Sequence, residues 1–328
     1  MAENPGNRDV IERDSRRARG LLDHVARAVV GKEAVLEHLL LALLCRGHVL
    51  LEGVPGLGKT LAARSFAAAV QARFTRVQLT PDLLPGDLTG TEVFLPDRGV
   101  FEPRLGPVVT NFLLADEINR APAKVQSALL EAMEERQVTV GGQTFPLPRP
   151  FVVLATQNPI ELDGTYPLPE AQIDRFLFKV AVRYPEAAAE RAVVDAHLES
   201  GIATIDPVLS LGELEEMTAT IGLIRVDGRL REYCVRLVRA TRPGDATTSG
   251  EIRAWVRFGA SPRAAVALAV AARALALTRG RGFVIPEDIK EVAPAVLRHR
   301  LVLTLDAQAE EVDTEELLAA MLLQVEVP

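Results

Sequence analysis

The chain has 328 residues, 48% of them apolar, enough for one large globular domain and a smaller one. A formal net charge of −7 with 25% charged residues argues against a protein that holds nucleic acid by bulk positive charge. Cys45 and Cys234 lie too far apart for a metal motif and are too few for a disulfide framework, so both read as thiols in a reducing compartment.

The N-terminal MAENPGNRDV is polar and lacks the apolar core of a signal peptide. Residues 8–28 mix Arg, Asp and Ala with spaced apolar positions, the pattern of an amphipathic helix, and a second helix is expected over 32–45. The greasiest run, AVLEHLLLALLC (34–45), is interrupted by Glu37 and His38 and is too short to span a bilayer. It reads as a core helix, and the chain as cytoplasmic with no membrane span. HVLLEG (48–53) is a short apolar run ending in Gly, as a buried parallel strand would be. GVPGLGKT and a strong helix former, LAARSFAAAVQA, follow it.

Further strands are expected at 74–79, 111–115 and 151–156. A helix is expected over 122–136, with Val125, Leu129 and Met133 on one face. Strands alternating with helices predict an α/β fold, a parallel sheet with helices on both faces. Two Pro- and Gly-rich stretches interrupt that alternation and read as inserted hairpins. One covers about 83–108 and turns at PDRG; the other covers 138–150 and turns at Gly141-Gly142. From Pro185 onward helix patterns dominate. Ser210 and Glu213 form a capping box, and helices are expected over 228–240, 262–279, 286–298 and 313–325. The expected domains are therefore an α/β core over 1–184 and an all-helical one over 185–328.

GVPGLGKT (53–60) satisfies G-x-x-x-x-G-K-[ST] between a strand and a helix. Gly53, Gly56 and Gly58 let the backbone curl around phosphate, with Val54, Pro55, Leu57 and Leu61 completing the loop. Lys59 is placed for the β- and γ-phosphates and Thr60 for Mg²⁺. Asp116 and Glu117 in LLADEINR end a second apolar strand, on the edge where ligands of parallel sheets gather. Asp116 is the candidate Mg²⁺ ligand, directly or through water, and Glu117 the candidate general base; the bland alternative is an acid pair facing a helix N-terminus. Asn158, at the tip of the third strand, can orient the water or bond the γ-phosphate, or simply start a turn before Pro159. Arg175 reads either as a charge for phosphoryl transfer or as a surface Arg paired with Asp174. Arg263 follows Ser261-Pro262 in the first turn of a helix, where its charge opposes the dipole; a phosphate or a nearby acid would account for it. The histidines show no metal spacing, and Arg16-Arg17 and Arg279/Arg281 read as solvated surface.

With these residues assembled, the chain resembles the MoxR family of AAA+ ATPases over essentially its whole length. The resemblance is carried by VVGKEAVLEHLLLALLCRGHVLLEGVPGLGKT, LLADEINRAPAKVQSALLEAMEERQVTV and TQNPIELDGTYPLPEAQIDRF. It implies an AAA+ core followed by a helical lid, with ATP or ADP bound between them, and assembly into a ring, usually a hexamer. By the same resemblance Lys59 and Thr60 match Walker A, Asp116 and Glu117 Walker B, Asn158 sensor 1 and Arg263 sensor 2. Arg175 would be an arginine finger acting in trans. Val29-Val30-Gly31 would contact adenine, with Lys32 in place of a frequent Gln. The implied activity is Mg²⁺-dependent ATP hydrolysis that remodels or activates a client, often a von Willebrand factor A-domain protein. The alternative is a DNA motor or chelatase-type motor subunit of the same branch. The acidic balance and a second hairpin offering only Arg149 weigh against DNA. No role is assigned to Arg120 or Arg136.

Overall fold

The short apolar runs at 49–52, 112–116 and 152–157 become strands that are buried along nearly their whole length. The computed structural model describes residues 5–159, 165–199, 205–245 and 248–328. In chain order, α1 (Pro5–Ala26) and α2 (Glu33–Leu44) precede β1 (Val49–Glu52), α3 (Lys59–Ala69) and β2 (Phe74–Gln78). Next come α4 (Pro85–Thr89), β3 (Gly90–Leu95), β4 (Val100–Leu105), β5 (Phe112–Asp116) and α5 (Ala123–Glu135). These are followed by β6 (Gln137–Val140), β7 (Gln143–Pro146), β8 (Val152–Gln157), α6 (Glu170–Ile173), β9 (Phe178–Ala181) and α7 (Ala187–Glu199). The remainder is mainly helical: α8 (Leu211–Thr220), α9 (Gly228–Ala240), α10 (Gly250–Trp255), α11 (Pro262–Thr278), α12 (Pro286–Leu297), α13 (Leu305–Ala309) and α14 (Thr314–Gln324).

The chain divides into two compact units. One comprises Gly20–Phe176 and Val180–Glu215; the other comprises the residues up to Arg19, Leu177–Lys179 and Glu216–Pro328. The boundary expected at Tyr184-Pro185 thus falls within the α/β unit, which retains the stretch through Glu215. Backbone bonds show why: the N–H groups of Val208 and Leu209 both donate to the Ala69 carbonyl at the end of α3, at 2.9 and 3.1 Å.

In the α/β unit the sheet order is β2-β5-β8-β1-β9, with β2/β5, β5/β8 and β1/β8 parallel. One sheet face supplies Leu50, Leu113, Ala115, Val153 and Ala155 to a core with Val125, Leu129 and Met133 of α5, the helical face expected from sequence. The alternate residues Val49, Leu51, Phe112, Leu114, Val152 and Leu154 are buried as well, so both faces are covered.

Both expected hairpins form. β3 pairs antiparallel with β4 across Pro96–Gly99, and Phe94 and Phe101 stand out from it with ring centroids 5.1 Å apart, both exposed. β6 pairs with β7 across Gly141-Gly142, whose φ values of +59° and +76° suit the tight turn.

Ser210 and Glu213, at the end of the α/β unit, form the expected capping box, and polar residues serve structure in the helical unit as well. Asp227, Ser249, Ser261, Thr304 and Asp313 each cap a helix through a side-chain oxygen. A short ribbon, β10 (Val256–Phe258) against β11 (Val302–Leu303), adds strand to the region expected to be all-helical. Two arginine pairs expected on solvated surface divide: Arg16 is exposed, but Arg17 bonds the buried Asp14, and Arg279 and Arg281 converge on the buried Asp288. Both cysteines are free, and burial pushes the Cys234 thiol up to about 12.

Candidate functional site

The loop between β1 and α3 is shaped by backbone conformations that side chains resist. Gly56 and Gly58 take φ of +82° and +78°, and a Cβ on either would meet nothing within 4 Å, so conformation and not crowding requires glycine there. Gly53 is set by the opposite constraint: a Cβ would approach the Val182 carbonyl oxygen at 2.6 Å. Gly58 is the N-cap of α3, and Lys59 and Thr60 open its first turn with Leu61, so backbone N–H groups and the positive end of the helix face the loop. An open, glycine-shaped cradle at the N-terminus of an 11-residue helix fits a phosphate chain.

Lys59 Nζ lies 2.5 Å from the Gly53 carbonyl oxygen and so spans the loop. Burial pulls its ammonium below the ordinary lysine range, while Asp116, Glu117 and Glu52 act in the opposite direction. The loop cation and the acid pair therefore share one electrostatic environment, as the parallel register requires. Gln78 stands beside Asp116, and Glu52 beside Gln157, at the carboxyl ends of their strands.

Asp116 ends β5 and has both oxygens occupied. Oδ1 accepts the Thr156 hydroxyl at 2.5 Å, and Oδ2 accepts Arg76 Nη2 at 2.6 Å and Nε at 3.0 Å. Glu117, one residue further, adopts left-handed φ 57° and ψ 56°, a conformation that costs a non-glycine residue about 1–3 kcal/mol. Its Oε2 accepts Gln78 Nε2 at 2.8 Å and pairs with Arg120 Nη1 at 3.0 Å. Arg120, unassigned from sequence, is thus a partner of the acid pair. Arg136 is not at the site: it caps the end of α5, where its guanidinium bonds the carbonyls of Phe151 and Arg46.

Asn158 follows β8 directly and is buried, at 5% exposure. Arg175 follows α6, and its Nε bonds Glu134 Oε2 of α5 at 2.6 Å, a partner 41 positions away in place of the neighbouring Asp174 considered from sequence. Arg263 belongs to the helical unit, in the first turn of α11, with its N–H capped by Ser261 Oγ at 3.2 Å. Val29 is buried, Val30 half-buried, and Gly31 takes φ +72° with its Cβ position 2.7 Å from Ala189. The Lys32 ammonium, at the position of the frequent Gln, bonds the Arg183 carbonyl at 2.8 Å. Residues 160–164 of the third quoted string lie outside the described residues.

Sequence reading missed Arg76, Gln78 and Thr156, which hold the acid pair from the strands on either side of β5. It also missed a pocket of about 510 Å³ beside the loop, lined by Gly53, Val54, Leu57, Pro159, Val182 and Tyr184 among others. The spacing of Arg76 and Gln78 was a usable signal: residues i and i+2 share a strand face, and two polar side chains there need polar company. Among the described residues, no cluster of three or more His, Cys, Asp or Glu could hold a metal. The available oxygen donors, Thr60 and Asp116, suit a hard cation that takes its other ligands from phosphate and water.

Comparisons with known proteins agree with this geometry. Residues 48–178 match the ATPase family associated with various cellular activities (AAA), and residues 252–321 match the AAA lid domain. The chain is 49% identical over 326 residues to Chaperone MoxR1 of Mycobacterium tuberculosis, covering 99% of this chain and 86% of that protein. It is 32% identical over 300 residues to Protein MoxR of Methylorubrum extorquens, with 85% of each covered. A solved crystal structure from Cytophaga hutchinsonii superposes with a TM-score of 0.91 at 41% identity, covering 98% of this chain and 97% of that one. The chain belongs to the MoxR family of AAA+ ATPases.

Proposed function

We propose that the protein hydrolyses ATP with Mg²⁺ and, as one subunit of a homo-oligomeric ring, applies that cycle to remodelling or activating a client protein. The observation that carries the hydrolytic reading is that β5 delivers Asp116 and Glu117 to the same sheet edge at which β1 runs into the Lys59 loop. Lys59 exchanges its bond to Gly53 for a phosphate oxygen, and the N-terminus of α3 holds the remaining phosphate charge. Thr60 and Asp116 would hold Mg²⁺, in part through water, and the ion would supply positive charge to offset that of the phosphoryl oxygens. Glu117 takes the proton of the attacking water. Gln78 and Arg120 both donate to Oε2, and Oε1 is the oxygen we assign to that water. Asn158 positions the water. Val30 and Gly31 are assigned to the base, and Arg175 and Arg263 to the γ-phosphate, Arg175 from the neighbouring subunit.

The client reading draws on the name of the M. tuberculosis relative and on the exposed Phe94–Phe101 pair at the end of a hairpin, a surface suited to apolar segments of another chain. A von Willebrand factor A-domain protein is the partner class we assign. No helix among the described residues is long and apolar enough to cross a membrane; the location we assign is cytoplasmic, where ATP and reduced thiols belong.

Purified protein should turn over Mg²⁺-ATP slowly, and Glu117→Gln should retain ATP while losing turnover by at least ~10²-fold. Wild-type turnover by Glu117→Gln would remove the general-base assignment. Mixing Arg175→Ala with Glu117→Gln subunits tests the trans assignment: activity restored in the mixture supports it, and strictly additive loss refutes it.

A further inference from the structure

The Thr156 hydroxyl joins the two acids through separate bonds. It donates to Asp116 Oδ1 at 2.5 Å and accepts the Glu117 backbone N–H at 2.8 Å. Thr156 is 1% exposed on β8, beside Leu51 of β1, so no solvent water replaces either bond. Because the single hydroxyl proton goes to Asp116, the lone pairs remain for Glu117, and both interactions coexist without competition. The second bond falls on the residue with the unfavourable backbone, φ 57° and ψ 56°. A left-handed glutamate persists only when its surroundings over-determine it. Here Thr156 fixes its N–H, while Gln78 and Arg120 fix its carboxylate.

We propose that Thr156 is a positioning residue for hydrolysis: one hydroxyl sets the rotamer of the metal-side carboxylate and the backbone angle that aims the base. The inference rests on the ATPase reading above, and it concerns how Asp116 and Glu117 are aimed, not which chemistry they perform. Thr156 is buried and bonds Asp116 and Glu117, so it acts through its neighbours, as groups bonded to metal ligands do elsewhere.

The test compares Thr156→Val, which keeps the shape and deletes the hydroxyl, with Thr156→Ser, which keeps the hydroxyl. Thr156→Val should lower kcat about 10–100-fold and raise the Mg²⁺ concentration for half-maximal binding of a fluorescent ADP by a similar factor. At saturating Mg²⁺ its KM for ATP should stay within about threefold of wild type, because the loop residues are untouched. Thr156→Ser should retain kcat and Mg²⁺ dependence to within about threefold. The inference is overturned if Thr156→Val matches wild type in both readouts, or if Thr156→Ser is as impaired as Thr156→Val. Should Thr156→Val not fold, Thr156→Ala against Thr156→Ser decides by the same criteria. Failure of the ATPase reading is separable: wild type would then show no turnover, while the Mg²⁺ dependence of ADP binding would still rank the variants.

Discussion

Arg76→Met is expected to lower the Mg²⁺ requirement of the protein. Arg76 lies two residues before Gln78 on β2, on the strand face that meets Asp116, and places two N–H groups on Oδ2 at 2.6 and 3.0 Å. A cation and a guanidinium cannot both satisfy that oxygen, so metal binding proceeds against the ion pair. Asp116 is well covered, with 14% of its side chain exposed, but Arg76 is 49% exposed, which puts the pair among those weakened by solvent. Such pairs contribute about 0.2–1 kcal/mol, so relieving the competition should lower the half-saturating Mg²⁺ concentration roughly 1.5- to 5-fold. Met retains the apolar stem length of Arg and leaves no opposing charge. The assay is fluorescent-ADP binding against free Mg²⁺, with Arg8→Met, a change on an exposed helix face, as control. A Mg²⁺ requirement that is unchanged or increased in Arg76→Met would refute the reasoning, since Arg76 would then support the metal instead of opposing it.

Burial, with a smaller contribution from Arg136, lowers the buried His48 imidazole to about 3, and its Nδ1 accepts the Val153 N–H while Nε2 faces the Met133 carbonyl. The native state therefore keeps His48 neutral where the unfolded chain protonates it. Stability should fall as pH drops from about 6.5 toward 3, by up to ~1.4 kcal/mol per pH unit, and be fully present above that window. Urea unfolding of His48→Gln should show a flatter pH dependence there, whereas parallel curves would contradict the assignment. Asp288 is fully buried and held by Arg279 and Arg281. Asp288→Ala should cost about 1–3 kcal/mol in thermal or urea unfolding, because it removes the carboxylate that holds Arg281 and accepts the Ile285 N–H, while Arg279 keeps Glu291; a loss below ~0.5 kcal/mol would contradict that structural role.

The shape of the glycine-rich loop was legible because its signals are local. GVPGLGKT carries its own turn conformations, cation and hydroxyl, and both the strand before it and the helix after it announce themselves in the same stretch. Asp116, Glu117 and Asn158 were legible one step later, once apolar runs were taken as strands whose ends share an edge. Thr156 was not, because a threonine in a strand is ordinary β-former chemistry; its role exists only through its register with β5. The same holds for Arg175, whose partner Glu134 belongs to another helix, and for Arg279 and Arg281, which resembled surface charge until α12 brought Asp288 to them. The compact units divide elsewhere than the change in composition at Pro185 for a related reason: backbone bonds to Ala69 carry the chain back to the α/β unit. Periodicity sees which residues are buried and not which distant groups they bond.

The polar groups around the acid pair also decide where this fold can vary without losing stability. The sheet beneath the site is apolar on both faces, and its cohesion comes from residues such as Leu113, Leu114, Val153 and Leu154, none of which reaches a carboxylate oxygen. Asp116 is oriented from β8 on one oxygen and from β2 on the other, and Glu117 from β8 at its backbone and from β2 and Arg120 at its carboxylate. Substitutions in the apolar set act on folding. Substitutions that keep the shape but delete the bonding group at Arg76, Gln78 or Thr156 leave that set intact and change the direction in which two charges point. In a site whose work is positioning and charge compensation, misaiming is enough to lose rate, since a displacement of about 1 Å can cost ~10²-fold. Turnover and melting temperature should therefore part company at these three positions and fall together at Leu114 or Leu154.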